Sequence, residues 1–293
     1  MLVKRLPGRF GVAVEGVDLR AAEALFSELT RLLYEHHVLL IRRQVLSRKE
    51  FAAFARMWGT PQVRYGSASY HHALDADETP DVIQLSNAPE TPEKFRDNAR
   101  HWHSDGTYDL MPSNVTLLYA LEAPEVGGET LFTDMTAAYA ALPEPTRARI
   151  EDLRARHFIL AGKVDEDEHI VRDMFTEEEK AALYERVTHP LVYRHPKTGR
   201  RSLFGVAATA TGVVSLDPED SERLLDELKR HAVSEAFRTS VKASTGDLLM
   251  WDNYAVMHCA TPLEYSAEPG KRRRLLRVST KGEMTPLVAE PVS

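Results

Sequence analysis

Between Ala21 and His36 the apolar residues Leu25, Leu29, Leu32 and Leu33 recur at helical spacing, and Val38-Leu39-Leu40-Ile41 behind them reads as a short buried strand. Ser47 and Glu50 form a capping-box pattern that opens a second helix, with Phe51, Phe54, Ala55 and Trp58 on one side. From Thr60 to Asp81 the pattern dissolves into Gly, Ser, Asp, Pro and paired histidines, a long irregular segment of the kind that often carries function. Strand character returns at 82–85 and 115–121. Helical patterns follow at 135–142, 144–156, 177–184 and 217–231, and the C-terminal part reads as strands at 237–241, 247–251, 255–258 and 272–280. Short strands with helices grouped outside them predict an α+β fold built on a barrel or sandwich. No internal repeat or linker divides the chain, so residues 1–293 are expected to form a single domain.

The 293 residues are 43% hydrophobic and 28% charged, an ordinary globular balance. A net charge of -7, spread along the chain, repels nucleic-acid phosphates and anionic lipid, which argues against nucleic acid and membrane as partners. Lys271-Arg272-Arg273-Arg274 is the one basic run. Cys259 is the only cysteine, so no intrachain disulfide forms, and the start carries no apolar run of secretory type. A cytoplasmic protein is expected. The oligomeric state is left open, a homo-oligomer included.

Chemistry concentrates at Arg100-His101-Trp102-His103-Ser104-Asp105. On an extended chain His103 and Asp105 face the same way, so an imidazole nitrogen and a carboxylate oxygen can reach one metal ion. A third ligand from elsewhere would complete a facial triad of the non-haem Fe(II) type. His258, behind Gly246–Tyr254 on an apolar strand, is the candidate; a core histidine is the alternative. Further on, Arg273 and Arg277 share one face of a strand with Leu275 between them, and a buried guanidinium calls for an anion such as a dicarboxylate. Arg272 and Arg274 then suit an exposed edge. Cys259, opposite His258, reads as a buried structural thiol.

Trp102-His103-Ser104-Asp105, then Pro124-Glu125-Val126-Gly127-Gly128-Glu129-Thr130, Trp251-Asp252-Asn253 ahead of His258, and the arginine strand together resemble the TauD/TfdA family of Fe(II)/2-oxoglutarate-dependent dioxygenases over nearly the whole chain. The resemblance implies a double-stranded β-helix, or jelly roll, flanked by helices. It implies Fe(II) held by His103, Asp105 and His258, with 2-oxoglutarate and O2 as cosubstrates. Thr130 and Arg273 would hold the distal carboxylate of 2-oxoglutarate, and Arg277 would meet its nearer carboxylate or the substrate's acidic group. The gap from His258 to the arginines is longer than usual through Glu264–Gly270, which leaves Arg272, Arg273 and Arg274 all open for the distal role.

The reaction so implied hydroxylates, desaturates or cleaves a small organic substrate with release of succinate and CO2. Arg277 favours a carboxylate or sulfonate. Tyr65, Tyr70, His71 and His72 in the irregular segment are candidate substrate contacts, with solvent exposure as the plain alternative, and Asn98 and Tyr108 flank the metal motif. Two other readings stand beside this one. An isonitrile-forming oxidase of the same family shares the Tyr-His-His stretch and Arg194–Gly199, although its Lys-x-Arg clamp is not evident, since Lys163 is followed by Val164 and Asp165. A zinc hydrolase could also use two histidines and an aspartate, yet it has no use for paired buried arginines.

Overall fold

Helix α1 (Phe26–His36) forms where the leucines recur and buries Leu29, Leu32 and Leu33. It stops at His37, whose φ of 67° lets its N–H return to the Leu33 carbonyl. The expected start at Ala21 is instead a 3-10 segment, Leu19–Leu25, capped by Asp18. Helix α2 (Arg48–Arg56) carries the predicted capping box between Ser47 and Glu50. The computed structural model describes residues 1–62, 79, 81–89, 100–158, 187–206 and 208–282. The expected helix at 177–184 lies outside the described residues, as do Tyr65, Tyr70, His71, His72 and Asn98.

In chain order the described strands are β1 (Leu2–Arg5), β2 (Val12–Glu15), β3 (Val38–Ile41), β4 (Thr60–Pro61), β5 (Ile83–Ser86), β6 (Val115–Glu122), β7 (Thr130–Asp134) and β8 (Arg154–His157). They continue with β9 (Val187–Pro190), β10 (Val192–Arg194), β11 (Arg201–Leu203), β12 (Ala210–Val213), β13 (Arg238–Val241), β14 (Leu248–Asp252), β15 (Val256–Ala260) and β16 (Arg274–Lys281). Among the described residues three further α-helices are α3 (Met135–Ala141), α4 (Glu144–Ile150) and α5 (Pro218–Ala232). Among the described residues no helix is long and apolar enough to cross a membrane.

The expected helix at 144–156 ends early. Arg154-Ala155-Arg156-His157 alternates between partly and fully buried positions and forms β8, paired with β9 and β12. Four residues are too few to separate a period of 2 from 3.6 in the sequence.

Two sheets position the site. The larger runs β1-β2-β3-β14-β6-β16-β4, with β5 also on β16; the smaller runs β13-β7-β15. Strand alternation gives the larger sheet two apolar faces. Leu39, Ile41, Leu117, Met250 and Leu276 pack outward against Leu29, Leu33, Phe51 and Phe54 of α1 and α2. Val38, Leu40, Leu118, Leu249, Trp251 and Leu275 turn inward onto Phe132, Val241 and Val256 of the smaller sheet. Met257 points out of that sheet into a third cluster with α3 and α5. Buried side chains on both faces are what near-continuous apolar runs such as Val38–Ile41 require.

Candidate active site

The same alternation sends a row of polar side chains into the space between the sheets. On β15, Val256 is inward and Met257 outward, so His258 turns inward, where its ring lies 4.5 Å from Trp251 and 6.1 Å from Phe132 by centroids. On β16, inward Leu275 puts Arg277 and Ser279 on the inner face, and inward Leu118 on β6 does the same for Thr116.

His103 joins His258 through a single antiparallel bridge, with N–H to O distances of 3.0 and 2.8 Å in the two directions. Their rings stand 4.2 Å apart by centroids. Asp105 lies beside both: its Oδ1 is 3.7 Å from His103 Nε2 and its Oδ2 3.7 Å from His258 Nε2. One ligand atom from each of His103, Asp105 and His258 falls within 4.8 Å of the others. His103 Nδ1 sits 2.7 Å from the His101 carbonyl; a carbonyl only accepts, so Nδ1 carries the hydrogen and Nε2 presents its lone pair. Two imidazoles, one carboxylate and a fixed tautomer fit a divalent metal of the facial-triad type.

Asp105 is 2% exposed, and a buried carboxylate must be compensated. Arg277, itself 5% exposed, places Nη2 2.5 Å from Oδ1. Thr116 Oγ1 donates to Oδ2 at 2.7 Å, Asn253 Nδ2 donates to Thr116 Oγ1 at 2.9 Å, and Asn253 Oδ1 accepts from the Asp105 N–H at 3.2 Å and from Trp251 Nε1 at 3.0 Å. Ser104 Oγ donates to the Val256 carbonyl, which ties the 103–105 segment to β15. Thr116 escaped the sequence reading. Its signal is one polar residue in the otherwise apolar run 115–121, at the parity of Leu118.

Farther along the inner face a pocket opens between the sheets, lined by Thr130, Arg273, Leu275, Leu118, Leu249 and Val241 among others. Arg273 lies just before β16. Burial pushes its guanidinium down to about 10, an effect that Tyr265 partly opposes, and among the described residues no carboxylate pairs with it. Arg272 and Arg274 turn the other way and pair with Glu122 at 3.0 and 3.4 Å. Gly127 and Gly128, each at φ +77°, turn the chain into Thr130, and the Gly128 backbone lies against Pro124 and the Arg273 side chain. Cys259 is buried, which pushes its thiol up to about 11. Tyr108 is half-buried.

Residues 2–279 match the family model described as taurine catabolism dioxygenase TauD, TfdA family. The chain belongs to this family. As a TauD/TfdA member it is an enzyme, an α-ketoglutarate (2-oxoglutarate)-dependent dioxygenase working with Fe(II), 2-oxoglutarate and O2. It is 33% identical over 284 residues to an alpha-ketoglutarate-dependent 2,4-dichlorophenoxyacetate dioxygenase of Cupriavidus pinatubonensis, covering 92% of this chain and 94% of that one. It is 32% identical to an (S)-phenoxypropionate/alpha-ketoglutarate-dioxygenase of Sphingobium herbicidovorans, covering 88% of each. The crystal structure of AAD-2 in complex with Mn(II) and N-oxalylglycine superposes with a TM-score of 0.76 at 27% identity, over 98% of this chain and 99% of that one. These TauD/TfdA relatives lend no support to a zinc hydrolase.

Proposed function

We propose that the chain is an Fe(II)/2-oxoglutarate-dependent dioxygenase that oxidises a small anionic molecule, a carboxylate or sulfonate, in one domain with a double-stranded β-helix core. The observation that carries this reading is the pair of inward arginines on and just before β16. Arg277 meets the His103, Asp105 and His258 cluster, and Arg273 lines the pocket that holds Thr130.

His103, Asp105 and His258 would hold the iron. Bound there, it supplies activation of O2 coupled to decarboxylation of 2-oxoglutarate into succinate and CO2. The chain's own residues bind and orient. Arg273, a half-buried cation without a carboxylate partner among the described residues, takes the distal carboxylate of 2-oxoglutarate, with the Thr130 hydroxyl beside it. Leu118, Leu249 and Leu275 wall the pocket with apolar surface, which strengthens that charge pairing by keeping water out. Arg277 turns its guanidinium toward the metal cluster, where it offers positive charge to an anionic substrate or to the nearer carboxylate of 2-oxoglutarate. N-oxalylglycine, which accompanies Mn(II) in AAD-2, has the same two terminal carboxylates and α-carbonyl as 2-oxoglutarate. The substrates named for the two relatives, 2,4-dichlorophenoxyacetate and phenoxypropionate, are both carboxylates. Substrate contacts from Tyr65, Tyr70, His71, His72 and Asn98 rest on the sequence alone. A reducing cytoplasm suits Fe(II) and the lone thiol.

The test adds Fe(II) and 2-oxoglutarate to the purified protein without oxygen and records the visible charge-transfer band of chelated 2-oxoglutarate. The band is expected in the parent protein, absent in His103→Ala, and shifted by the correct carboxylic or sulfonic acid. Metal-loaded, folded protein without the band overturns the reading.

A further inference from the structure

Arg273 stands one residue before β16, at the end of the 261–272 connection, where the sequence left three neighbouring arginines open. What fixes it there is a single residue. Asn87, one residue past the end of β5 and 6% exposed, accepts the Arg273 N–H on Oδ1 at 2.7 Å, and its own N–H donates to the Arg273 carbonyl at 3.2 Å. Its Nδ2 donates to the carbonyls of Glu264 at 2.8 Å and Lys271 at 2.9 Å, and its carbonyl accepts the Ser266 N–H at 3.0 Å. Every polar group of Asn87, main chain and side chain, is thus committed to residues 264–273. Both main-chain groups of Arg273 end on Asn87.

The ladder on either side explains why such a clasp is needed. β5 pairs with β16 as far as Ser86 with Arg274, and the β6–β16 register shifts between Arg274 and Leu275. Arg273 therefore enters the pocket from a point where regular pairing has stopped, at the end of a connection that would otherwise leave its φ and ψ loosely set. Two other features are held by the same register. Gly128 backs onto the Arg273 side chain, and Arg272 and Arg274 are drawn the opposite way by Glu122.

We propose that Asn87 is a positioning residue for cosubstrate recognition: it selects Arg273, among three consecutive arginines, as the one aimed into the Thr130 pocket. The inference rests on the reading of that pocket as the seat of the distal carboxylate. It makes Asn87 act on the dicarboxylate alone and leave the metal ligands untouched.

The test uses the Mn(II)-loaded full chain and calorimetric binding of two probes, N-oxalylglycine, which has a distal carboxylate, and pyruvate, which lacks one. Asn87→Leu, close in volume and without side-chain hydrogen bonds, is expected to weaken N-oxalylglycine about tenfold, the scale of losing the one side-chain hydrogen bond that holds the Arg273 main chain, with Mn(II) and pyruvate binding unchanged. Loss on both probes, or on neither, overturns the inference, because a merely structural residue does not separate them. Arg273→Gln is the control for the underlying assignment. If it spares N-oxalylglycine, the pocket reading itself fails; if it weakens N-oxalylglycine while Asn87→Leu does not, only the role of Asn87 fails. A readout in the parent protein covers the case of a poorly folding variant: N-oxalylglycine should slow amide exchange at Asn87 and Arg273 together, and slowing at Arg273 without Asn87 counts against the proposal.

Discussion

Asp105 shows how many neighbours one buried carboxylate recruits. Arg277 faces Oδ1, Thr116 donates to Oδ2, and Asn253 ties the Asp105 backbone to Thr116. Thr116→Val keeps the shape and removes the hydroxyl, so Oδ2 loses a donor and Asn253 loses an acceptor. Mn(II) affinity should fall by about 10- to 100-fold, the usual cost of removing a group that orients a metal ligand; calorimetry on the folded variant checks it, and an unchanged affinity would refute the role given to Thr116. His103, Asp105 and His258 were legible in the sequence because ligand chemistry restricts the residue types. Their support was less so: threonine and asparagine are common in strands and turns, and only the sheet register reveals that these two meet the carboxylate.

At the scale of elements, the sequence was clearest where a local rule acts. The leucine period of α1 and the Ser47–Glu50 capping box lie within one or two helical turns, and both appear as expected. β7, which carries Thr130, was not predicted as a strand, since Thr-Leu-Phe-Thr-Asp is short and is defined by its partners β13 and β15. β8 was read as helix for the same reason. The turn before β7 offers a test. Gly128 sits at φ +77°, and an added Cβ would come 2.9 Å from Pro124. Gly128→Ala should destabilise by roughly 1–3 kcal/mol, the cost of left-handed backbone strain with a close contact, seen as a lower Tm. Because the same turn sets Thr130 beside Arg273, N-oxalylglycine binding should weaken in parallel.

The whole molecule should be acid-sensitive through groups outside the metal cluster. His157 on β8 and His189 on β9 are fully buried, with ring centroids 5.3 Å apart. His157 Nδ1 bonds Thr209 Oγ1, Thr209 bonds Thr107, and His189 Nε2 bonds the Asp109 carbonyl, which links both rings to the turn after Asp105. Burial holds His157 well below its ordinary 6.5 and pushes His189 down to about 4, with the Arg154 charge adding to the effect. Since both are depressed in the folded state, the unfolded chain takes up protons first as the pH falls through 6.5. Stability is therefore full above 6.5 and declines toward pH 4, by roughly 3 kcal/mol from His189 alone. Chemical denaturation at pH 7.5 and 5 measures it; His189→Gln should flatten the slope. Ligand linkage acts in the opposite sense: Mn(II) at 100 times its Kd should add about 2.7 kcal/mol, visible as a raised Tm that a chelator reverses.

The bridge between His103 and His258 has a kinetic corollary. Two main-chain hydrogen bonds join donors from opposite halves of the chain, and main-chain pairing needs no ion, so the entropy of closing that long loop should be lost in folding itself. A metal should then meet a site already closed rather than nucleate one. Refolding should run at the same speed with or without Mn(II), and the ion should lengthen only the lifetime of the folded state by slowing its escape.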